Sequence, residues 1–538
     1  MKNINKILMS ALVASAMVGC NDLDTEPLGR DITTEEKEDA ISSNPELSSA
    51  GVVAISSSLY KYPNIFTEAN NVHSDFGWPA VTLMLDSRGM DMVGYNTGYN
   101  WFSAGGAMSD CTNNSYTTRY AWNTLYKQVL NCNTVLQTMP EEITDPLAQF
   151  YAAQALAARA FDYFMLAQMY QHTYVGSESM ACVPIITEDN QQDASTNGIA
   201  RNSVQEVYDQ VMSDINEAIG YLDICGITPE GVLDSGAKRY ISAGAAYGLR
   251  ARINLVMNKW ADAESDARTA ITKSGATPYS LTEASVPGFS KLDDHNVMWG
   301  ISVAETDRVV TTGICNWPSH MGSLNYGYAT VGAWRKINIS LFNSIPATDV
   351  RKGWFLDAAG SSPNLTARQL SFLAGSGAPA YAQVKFGPYQ DVLGTSNNAC
   401  DIPLMRVEEM YLIVAEAMAM GGDPAGAASY LANDFVKPYR NPSYSFTSSS
   451  AEAVQNEVWN QRRVELWGEG ISFFDIVRLK KPIDRRGGGW TAEWVFNVPG
   501  GAQINVFPIP QTEINSNQLI SAGNNNEAVA PPTAVSDN

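Results

Sequence analysis

The feature that most constrains the fold is a helical period of large and small apolar residues. Aromatic and alanine side chains recur at three- and four-residue steps from Phe150 to Phe164, which predicts one buried helix face. A second helix begins with the capping-box pattern Ser203-x-x-Glu206. The small residues of the first helix would allow the second to approach closely. We therefore predict a mostly α-helical fold, with one helix pair at about 150–222.

Two later segments share one spacing of large and small residues. The same intervals separate the members of two triplets: Tyr247, Ala251 and Ala263, and Tyr411, Ala415 and Ala427. A turn-forming stretch lies between the two alanines of each triplet. This arrangement resembles tetratricopeptide repeats, in which two antiparallel helices pack a bulky side chain against small ones. It predicts further helix pairs at about 239–272 and 406–435.

Long stretches without a helical period lie between these segments. They cover about 61–118, 274–335 and 353–402 and are rich in Gly, Ser, Asn and aromatic residues. Loops of this length are usually functional or poorly ordered, and their aromatic content argues against disorder. We predict a single domain over 28–520, with a helical scaffold and an irregular, loop-rich ligand-binding side. The polar tail at 521–538 is predicted to be flexible.

The N-terminus has the pattern of an export signal. Lys2 and Lys6 precede an apolar run over 7–18, which is shorter than the roughly 20 residues needed to span a bilayer. The sequence MVGC that ends at Cys20 resembles the lipobox of bacterial lipoproteins, although Met replaces the usual Leu. The resemblance implies removal of 1–19 and acylation of Cys20. The alternatives are a soluble secreted protein or a buried N-terminal helix.

The segment after the cysteine is acidic. Three acids lie in 20–27, a pattern that resembles the surface-export signal of Bacteroidetes lipoproteins. A polar tether is the alternative interpretation. No later segment has 18 uninterrupted apolar residues, so we expect lipid alone to hold the chain at the membrane.

Composition narrows the classes of ligand. The chain has 35 Lys and Arg against 56 Asp and Glu, a formal net charge of −21, which makes nucleic acid an unexpected partner. The 24 Tyr and 12 Trp suit uncharged ligands with apolar faces.

Apart from Cys20, the cysteines show no C-x-x-C spacing, so neither a zinc ribbon nor a thioredoxin-like site is indicated. Disulfides and buried thiols are both compatible with an exported protein of this size. These cysteines are Cys111, Cys132, Cys182, Cys225, Cys315 and Cys400.

The C-terminal third contains the most specific motifs. They are the run IPLMRVEEMYLIVAEA at 402–417, the block QRRVELWGEG at 461–470 with FDIVR at 474–478, and the closing FPIP at 507–510 with Glu513-Ile514. Upstream are Asp349-Val350-Arg351 and Lys385-Phe386. These motifs, in this order, resemble the SusD/RagB family of Bacteroidetes. Gln461 stands where Glu is common in the family, and Ser472-Phe473 where Arg is common.

The resemblance implies a biological role as well as a fold. Proteins of this family are lipid-anchored in the outer membrane and face the exterior. They capture a nutrient, usually a glycan and sometimes a peptide, as a lid on a SusC-like TonB-dependent transporter. The repeats would face the transporter, and the ligand would bind on the loop-rich side. The resemblance implies no cofactor or metal.

Several residues are of types that take part in catalysis or metal binding. Glu465 and Glu469 share a helix face, but Arg462 precedes Glu465 by three positions, which favours an ion pair and a structural network. Asp293-Asp294-His295 could hold a cation, although a solvated turn is the simpler interpretation. No catalytic motif is present, so we predict a binding protein rather than an enzyme. A surface hydrolase of helical-repeat fold remains the alternative.

Two aromatic, Gly-rich loops are the candidate glycan site. A sugar ring has an apolar C–H face that an indole or phenol ring covers, and its hydroxyls bond to Asn, Asp and Arg. The alternative is that these aromatics fill the core beneath the loops, and a peptide is the alternative ligand. The predicted stacking residues are Tyr99, Trp101 and either Trp317 or Trp334, and Tyr326 is a further predicted ligand-binding residue. The predicted hydroxyl-binding residues are Arg88, Asp91 and Asn100.

Overall fold

The structure is a computed structural model that describes residue 40 and residues 43–63, 72–229 and 237–538. The predicted export signal, Cys20 and the acidic segment 20–27 lie outside these residues. Within the described part of the chain, no helix is long and apolar enough to cross a membrane.

Helices form most of the regular structure, and about half of the chain is helical, which confirms the predicted mostly α-helical fold. The α-helices are α1 (Ser49–Ser58), α2 (Trp78–Arg88), α3 (Ser103–Gly106), α4 (Tyr116–Leu136), α5 (Pro146–Tyr170), α6 (Gln191–Asn197), α7 (Val204–Ile224), α8 (Ala243–Val256), α9 (Trp260–Ser274), α10 (Arg308–Thr311), α11 (Trp317–Met321), α12 (Ile339–Ser344), α13 (Ala367–Gly375), α14 (Val407–Met420), α15 (Pro424–Tyr430), α16 (Lys437–Tyr439), α17 (Ala451–Glu465), α18 (Ser472–Arg478) and α19 (Gln511–Ser516).

The strands are short and pair antiparallel in twos. In the described residues, β1 pairs with β3, β2 with β4 and β5 with β6. Their bounds are β1 (Met92–Val93), β2 (Val297–Ile301), β3 (Lys336–Ile337), β4 (Ile402–Arg406), β5 (Ile483–Asp484) and β6 (Asn497–Val498).

Helix α5 runs through the core. Asp145 caps its N-terminus by accepting hydrogen bonds from the backbone N–H groups of Leu147 and Ala148, and Pro146 occupies the first turn. Every residue from Ala148 to Tyr170 is buried, so the helix is covered on all sides and not only on the predicted aromatic stripe. Helices α4 and α7 pack against it, and the Ser203–Glu206 capping box is formed at the start of α7.

The two segments with common spacing each form a pair of helices joined by a short turn. Ala251 and Ala263 are fully buried where α8 packs against α9, and Ala415 and Ala427 are fully buried in α14 and α15. Helix α9 also packs against α14, so the two pairs are neighbours. The classification of these pairs as tetratricopeptide-like repeats stays a prediction.

The stretch 61–118 shows no helical period in the sequence and was predicted to be loop-rich, yet it contains α2. All eleven residues of α2 are buried, so no polar face marks the helical period in the sequence. The predicted loop at 353–402 likewise contains α13, which a capping box of Thr366 and Gln369 begins.

The predicted flexible tail lies against the helical body. The Asn526 side-chain amide donates hydrogen bonds to the carbonyl oxygens of Tyr170 (2.6 Å) and Phe507 (2.9 Å). The backbone N–H of Val529 bonds to the Cys111 oxygen. The tail is held because it supplies donors to carbonyl oxygens of several segments, including that of Tyr170 at the end of α5, which the helix itself leaves unpaired.

The cysteines of the described residues are buried and unpaired. Of the two possibilities that the sequence left open, the structure has free thiols and no disulfide in this part of the chain.

A buried ion-pair network joins the C-terminal block to the rest of the fold. The fully buried Glu465 carboxylate accepts hydrogen bonds from Arg440 (2.7 and 2.9 Å) and Arg406 (3.2 Å), and Arg351 lies 3.4 Å away. Burial alone would raise the pKa of Glu465, but the three guanidinium groups outweigh it and hold this pKa below its usual value. Glu465 is therefore a charged structural group.

The predicted pairing of Arg462 with Glu465 is wrong, because Arg462 has a different acidic partner. The Nε atom of Arg462 lies 2.6 Å from Asp475 on α18, and Arg463 pairs with Asp91 at 2.6 Å. These arginines contact carboxylates of neighbouring elements rather than of α17, because Asp475 and Asp91 are buried beside them. The prediction of a structural network does describe what these residues form.

We expect Glu465→Gln to lower the free energy of unfolding by about 3 kcal/mol or more, because three buried guanidinium groups would lose their shared counter-charge. Urea unfolding measures this. Glu452→Gln, an exposed acid on the same helix, should change it by less than about 0.5 kcal/mol. Equal effects of the two substitutions would contradict the network's contribution.

We expect Asp86→Asn to stabilise the fold more at pH 8 than at pH 4.5. Burial raises the pKa of Asp86 to about 8, against the opposing effect of the Gly470 N–H that bonds to it at 3.0 Å. When folding raises the pKa of a carboxyl group, the protein's free energy of unfolding falls as the pH rises above the group's unfolded pKa of about 3.9. Urea unfolding at both pH values measures this, with the exposed Asp434→Asn as control. Parallel pH profiles of wild type and Asp86→Asn would contradict it.

Candidate ligand-binding surface

The loop after β1 presents two aromatic rings to solvent. Tyr99 is 54% exposed and Trp101 is half-buried. The Asn100 side chain holds the loop, since its amide donates to the Tyr95 carbonyl oxygen (2.8 Å) and its oxygen accepts from the Phe102 N–H (3.1 Å). The Tyr116 hydroxyl donates to the Trp101 carbonyl oxygen at 3.0 Å. These bonds fix the position of both rings.

A second loop and a histidine complete a group of rings that we call the aromatic face. It consists of His73, Tyr99, Trp101 and Tyr328. The Tyr328 ring centroid lies 6.5 Å from that of Tyr99 and 6.4 Å from that of Trp101, and the His73 centroid lies 4.8 Å from that of Trp101. The His73 imidazole and the Tyr328 hydroxyl are hydrogen-bonded. Tyr328 is only 6% exposed and His73 is half-buried, so Tyr99 and Trp101 are the outer rings of the aromatic face.

The ring beneath the aromatic face is an uncharged histidine. His320 is buried and stacks on Tyr328 with 4.7 Å between centroids. Burial, followed by the charge of Arg335, lowers the pKa of His320 to about 3, and burial also lowers the pKa of His73. Both imidazoles are therefore neutral at physiological pH, and the four rings of the aromatic face carry no charge.

Arg335 supports the aromatic face from below. Its guanidinium is fully buried and donates to the Asn100 side-chain oxygen (3.0 Å) and the His320 carbonyl oxygen (3.2 Å). It therefore joins the first aromatic loop to the second. Burial lowers the pKa of Arg335 to about 10, which leaves it charged at neutral pH.

A third loop adds exposed apolar side chains. The Tyr326 N–H donates to the Thr395 carbonyl oxygen, and the Gly394 N–H to that of Leu324, both at 2.8 Å. Tyr326 and Val392 on these loops are each 51% exposed. The loops of Tyr326 and Val392 are thus hydrogen-bonded to each other, and each exposes one apolar side chain.

Two of the predicted hydroxyl-binding residues lie in the interior. Arg88 is fully buried, forms an ion pair with Asp110 and donates to the Ile504 carbonyl oxygen at 2.5 Å. Asp91 is buried and accepts from Arg463 and from the Ser472 hydroxyl (2.9 Å). The prediction that they reach a sugar is corrected: both complete buried contacts with the C-terminal part of the chain.

The other predicted residues divide between the interior and the surface. Asn100 is buried and bonds within the protein, as described above. Trp317 is 7% exposed and packs edge-on against Phe386, and Trp334 is 5% exposed in a cluster with Leu356. These two tryptophans fill the core beneath the loops, which is the alternative that the sequence left open. Tyr99, Trp101 and Tyr326 remain at the surface.

Sequence reasoning missed His73 and Tyr328 as members of the aromatic face. They are 255 positions apart, and no periodic pattern connects them. Tyr328 belongs to the aromatic, Gly-rich loop that was identified, so its residue type and neighbours were the available signal. For His73 the sequence carried none.

The acidic turn at Asp293-Asp294-His295 is engaged with protein groups. His295 Nε2 lies 2.9 Å from a Glu283 oxygen, and the Tyr279 hydroxyl donates to Asp294. Within the residues that the structure describes, no group of three or more His, Cys, Asp or Glu could hold a metal ion.

Comparisons with known proteins place the chain in a family. Residues 64–255 match the profile "SusD-like_3: Starch-binding associating with outer membrane", and residues 376–526 match the profile "SusD family". No curated protein matches the chain.

Solved structures of similar fold come from Bacteroides. A SusD-like carbohydrate binding protein from Bacteroides vulgatus has a TM-score of 0.70 at 22% identity, covering 89% of this chain and 97% of its own. A SusD superfamily protein from Bacteroides thetaiotaomicron has a TM-score of 0.68 at 20% identity, and the match covers 92% of this chain and 100% of that protein. Surface glycan-binding protein A from the same organism, in complex with laminarihexaose, has a TM-score of 0.61 at 16% identity. This match covers 88% of this chain and 98% of that protein. The two matching profiles together span more than half of the sequence, and the chain belongs to the SusD/RagB family.

Proposed function

We propose that this protein binds a nutrient glycan at the aromatic face and delivers it to a SusC-like TonB-dependent transporter at the cell surface. The observation that carries the proposal is the group of four neutral, adjacent rings at the ends of long loops. Support also comes from the relatives, one of which is a glycan-binding protein in complex with laminarihexaose. The matching profile is described as starch-binding and associated with the outer membrane.

The chemistry of the aromatic face suits an uncharged sugar. A pyranose ring offers a C–H face that can lie on Tyr99 or Trp101, and rigid rings lose little conformational entropy on contact. The half-buried His73 has a second ring nitrogen, which does not contact Tyr328 and can bond to a sugar hydroxyl. The net charge of −21 would repel strongly acidic polymers unless a local cation opposed it.

The arrangement of carboxylates supports binding rather than hydrolysis. Glu465 and Glu469 lie in the buried ion-pair network. Burial would raise the pKa of both, but three arginines lower that of Glu465, and Arg406 with Lys385 lowers that of Glu469. A glycosidase needs a general acid with a raised pKa near the bond that it cleaves. These two residues therefore act in the scaffold, and we propose no catalytic function for the protein.

We expect Tyr99→Ala and Trp101→Ala each to weaken glycan binding at least about tenfold, because a lost stacking surface removes roughly 1.4 kcal/mol or more. Calorimetric titration against a panel that includes laminarihexaose and maltoheptaose measures this. Tyr221→Ala, a half-buried tyrosine on α7, is the control and should bind as the wild type does.

Unchanged affinity in both aromatic variants would contradict the site. Binding of peptides but of no glycan in the panel would instead favour a peptide cargo on the same surface.

We further propose that acyl chains on Cys20 hold the mature protein in the outer membrane. One acyl chain binds a membrane only weakly, whereas several chains on one residue hold it stably. We expect labelled palmitate to enter the wild-type protein in cells and not the Cys20→Ser variant. Incorporation into both, or into neither, would contradict this proposal.

A further inference from the structure

A polar cleft of about 450 Å³ lies between α12, α17 and the segment after β5. Its walls include Ser344 on α12, Asn460 on α17, Tyr444 and Arg486. Sites for small molecules commonly have volumes of about 300–1,000 Å³. None of the residues of the aromatic face lines this cleft, so it is a separate feature of the surface.

The arginines of the walls are paired with acids, and Glu457 is the one wall carboxylate that has no basic partner among the described residues. Each arginine that lines the cleft already contacts an acid: Arg351 with Asp349 (2.7 Å), Arg463 with Asp91 (2.6 Å) and Arg486 with Asp484 (2.6 Å). An anionic ligand would have to compete with these carboxylates, and a cationic ligand with these guanidinium groups. The cleft therefore disfavours an anionic ligand, and a neutral ligand can donate a hydroxyl hydrogen bond to the Glu457 carboxylate without displacing any of these pairs.

Hydrogen-bonding groups remain available beside these pairs. Glu457 Oε1 accepts from the Tyr444 hydroxyl (2.7 Å) and the Gln461 amide (2.8 Å), whereas Oε2 accepts no hydrogen bond from any residue of the described ranges. Asn460 is exposed and lies almost one helical turn further along α17. An acceptor and an amide at this spacing suit neighbouring hydroxyl groups, which both donate and accept.

The cleft also has an apolar part. Leu341 and Ile345 are buried in its wall, and the ring of Tyr444 is half-buried beside them. A molecule with hydroxyl groups on its rim and C–H groups on its faces would contact both kinds of wall.

We propose that this cleft is a second binding site, which takes a small neutral polyhydroxylated molecule of the mono- or disaccharide class. It flanks the β1–β3 pair that also supports the first aromatic loop. Asn338 in the cleft wall follows β3, and Lys336 of β3 lies 4.6 Å from the Tyr95 ring centroid. The site does not depend on the aromatic face for any contact.

The test is saturation-transfer NMR and calorimetry with D-glucose, D-galactose, maltose and cellobiose, and with D-glucuronate and D-glucosamine as charged analogues. The Trp101→Ala variant is the starting protein, so that binding at the aromatic face does not obscure the result. Ser344→Trp fills the cleft. Asn343→Trp, on an exposed neighbour outside the cleft wall, is the matched control.

We expect at least one neutral sugar to bind to Trp101→Ala and to Trp101→Ala/Asn343→Trp, with at least tenfold weaker binding to Trp101→Ala/Ser344→Trp. Asn460→Ala, which adds no bulk, should weaken binding about fivefold to tenfold through the loss of a hydrogen bond. Circular dichroism establishes that each variant is folded.

Equal binding by the Ser344→Trp and Asn343→Trp variants, or no binding of a neutral sugar in any of them, would overturn the proposal. Tighter binding of glucuronate or glucosamine than of the neutral sugars would overturn the assignment of ligand class. Failure of the aromatic face appears separately, as unchanged binding of long glycans in Trp101→Ala.

Discussion

The fold depends on the buried charges that surround Glu465. Arginines from three distant segments meet one carboxylate that is fully out of solvent, and Glu408 and Glu469 complete the group. In such a setting each ion is tolerated only because its partners are present, so the segments must dock together. Arg463, two residues before Glu465, likewise forms an ion pair with Asp91, which lies beside β1. The base of the first aromatic loop is thus fixed by the C-terminal block.

This arrangement explains how long, irregular loops can carry an ordered surface. Irregular loops have few backbone hydrogen bonds of their own, so side chains must position them. Asn100 and Arg335 do this for the loops that carry Trp101 and Tyr328, and both are buried. The exposed rings are therefore held from beneath by polar groups that do not themselves reach solvent.

The sequence predicted the parts of the fold whose pattern is local. The period from Phe150 to Phe164 and the Ser203 capping box identify α5 and α7, because each depends on residues a few positions apart. Helix α2 was missed because it is buried on every side and lacks a polar face. The Thr366–Gln369 capping box was present as a signal for α13, although only one residue of that helix, Leu373, is buried.

The site was predictable only where residue type alone places a side chain at the surface. Aromatics beside glycines in a polar loop identified Tyr99, Trp101 and Tyr326. Arg88 and Asp91 were misplaced because the partners that bury them, Asp110 and Arg463, could not be deduced from spacing. Whether such a side chain is buried depends on contacts between segments far apart in the chain, and these contacts cannot be deduced from a single sequence.

The most direct measurement of the central claim is a crystal structure of the protein with the best-bound glycan of the panel. The account predicts a sugar ring lying flat on Trp101 or Tyr99, with a hydroxyl within hydrogen-bonding distance of His73. Density for the glycan elsewhere on the molecule, with these four rings uncovered, would contradict it.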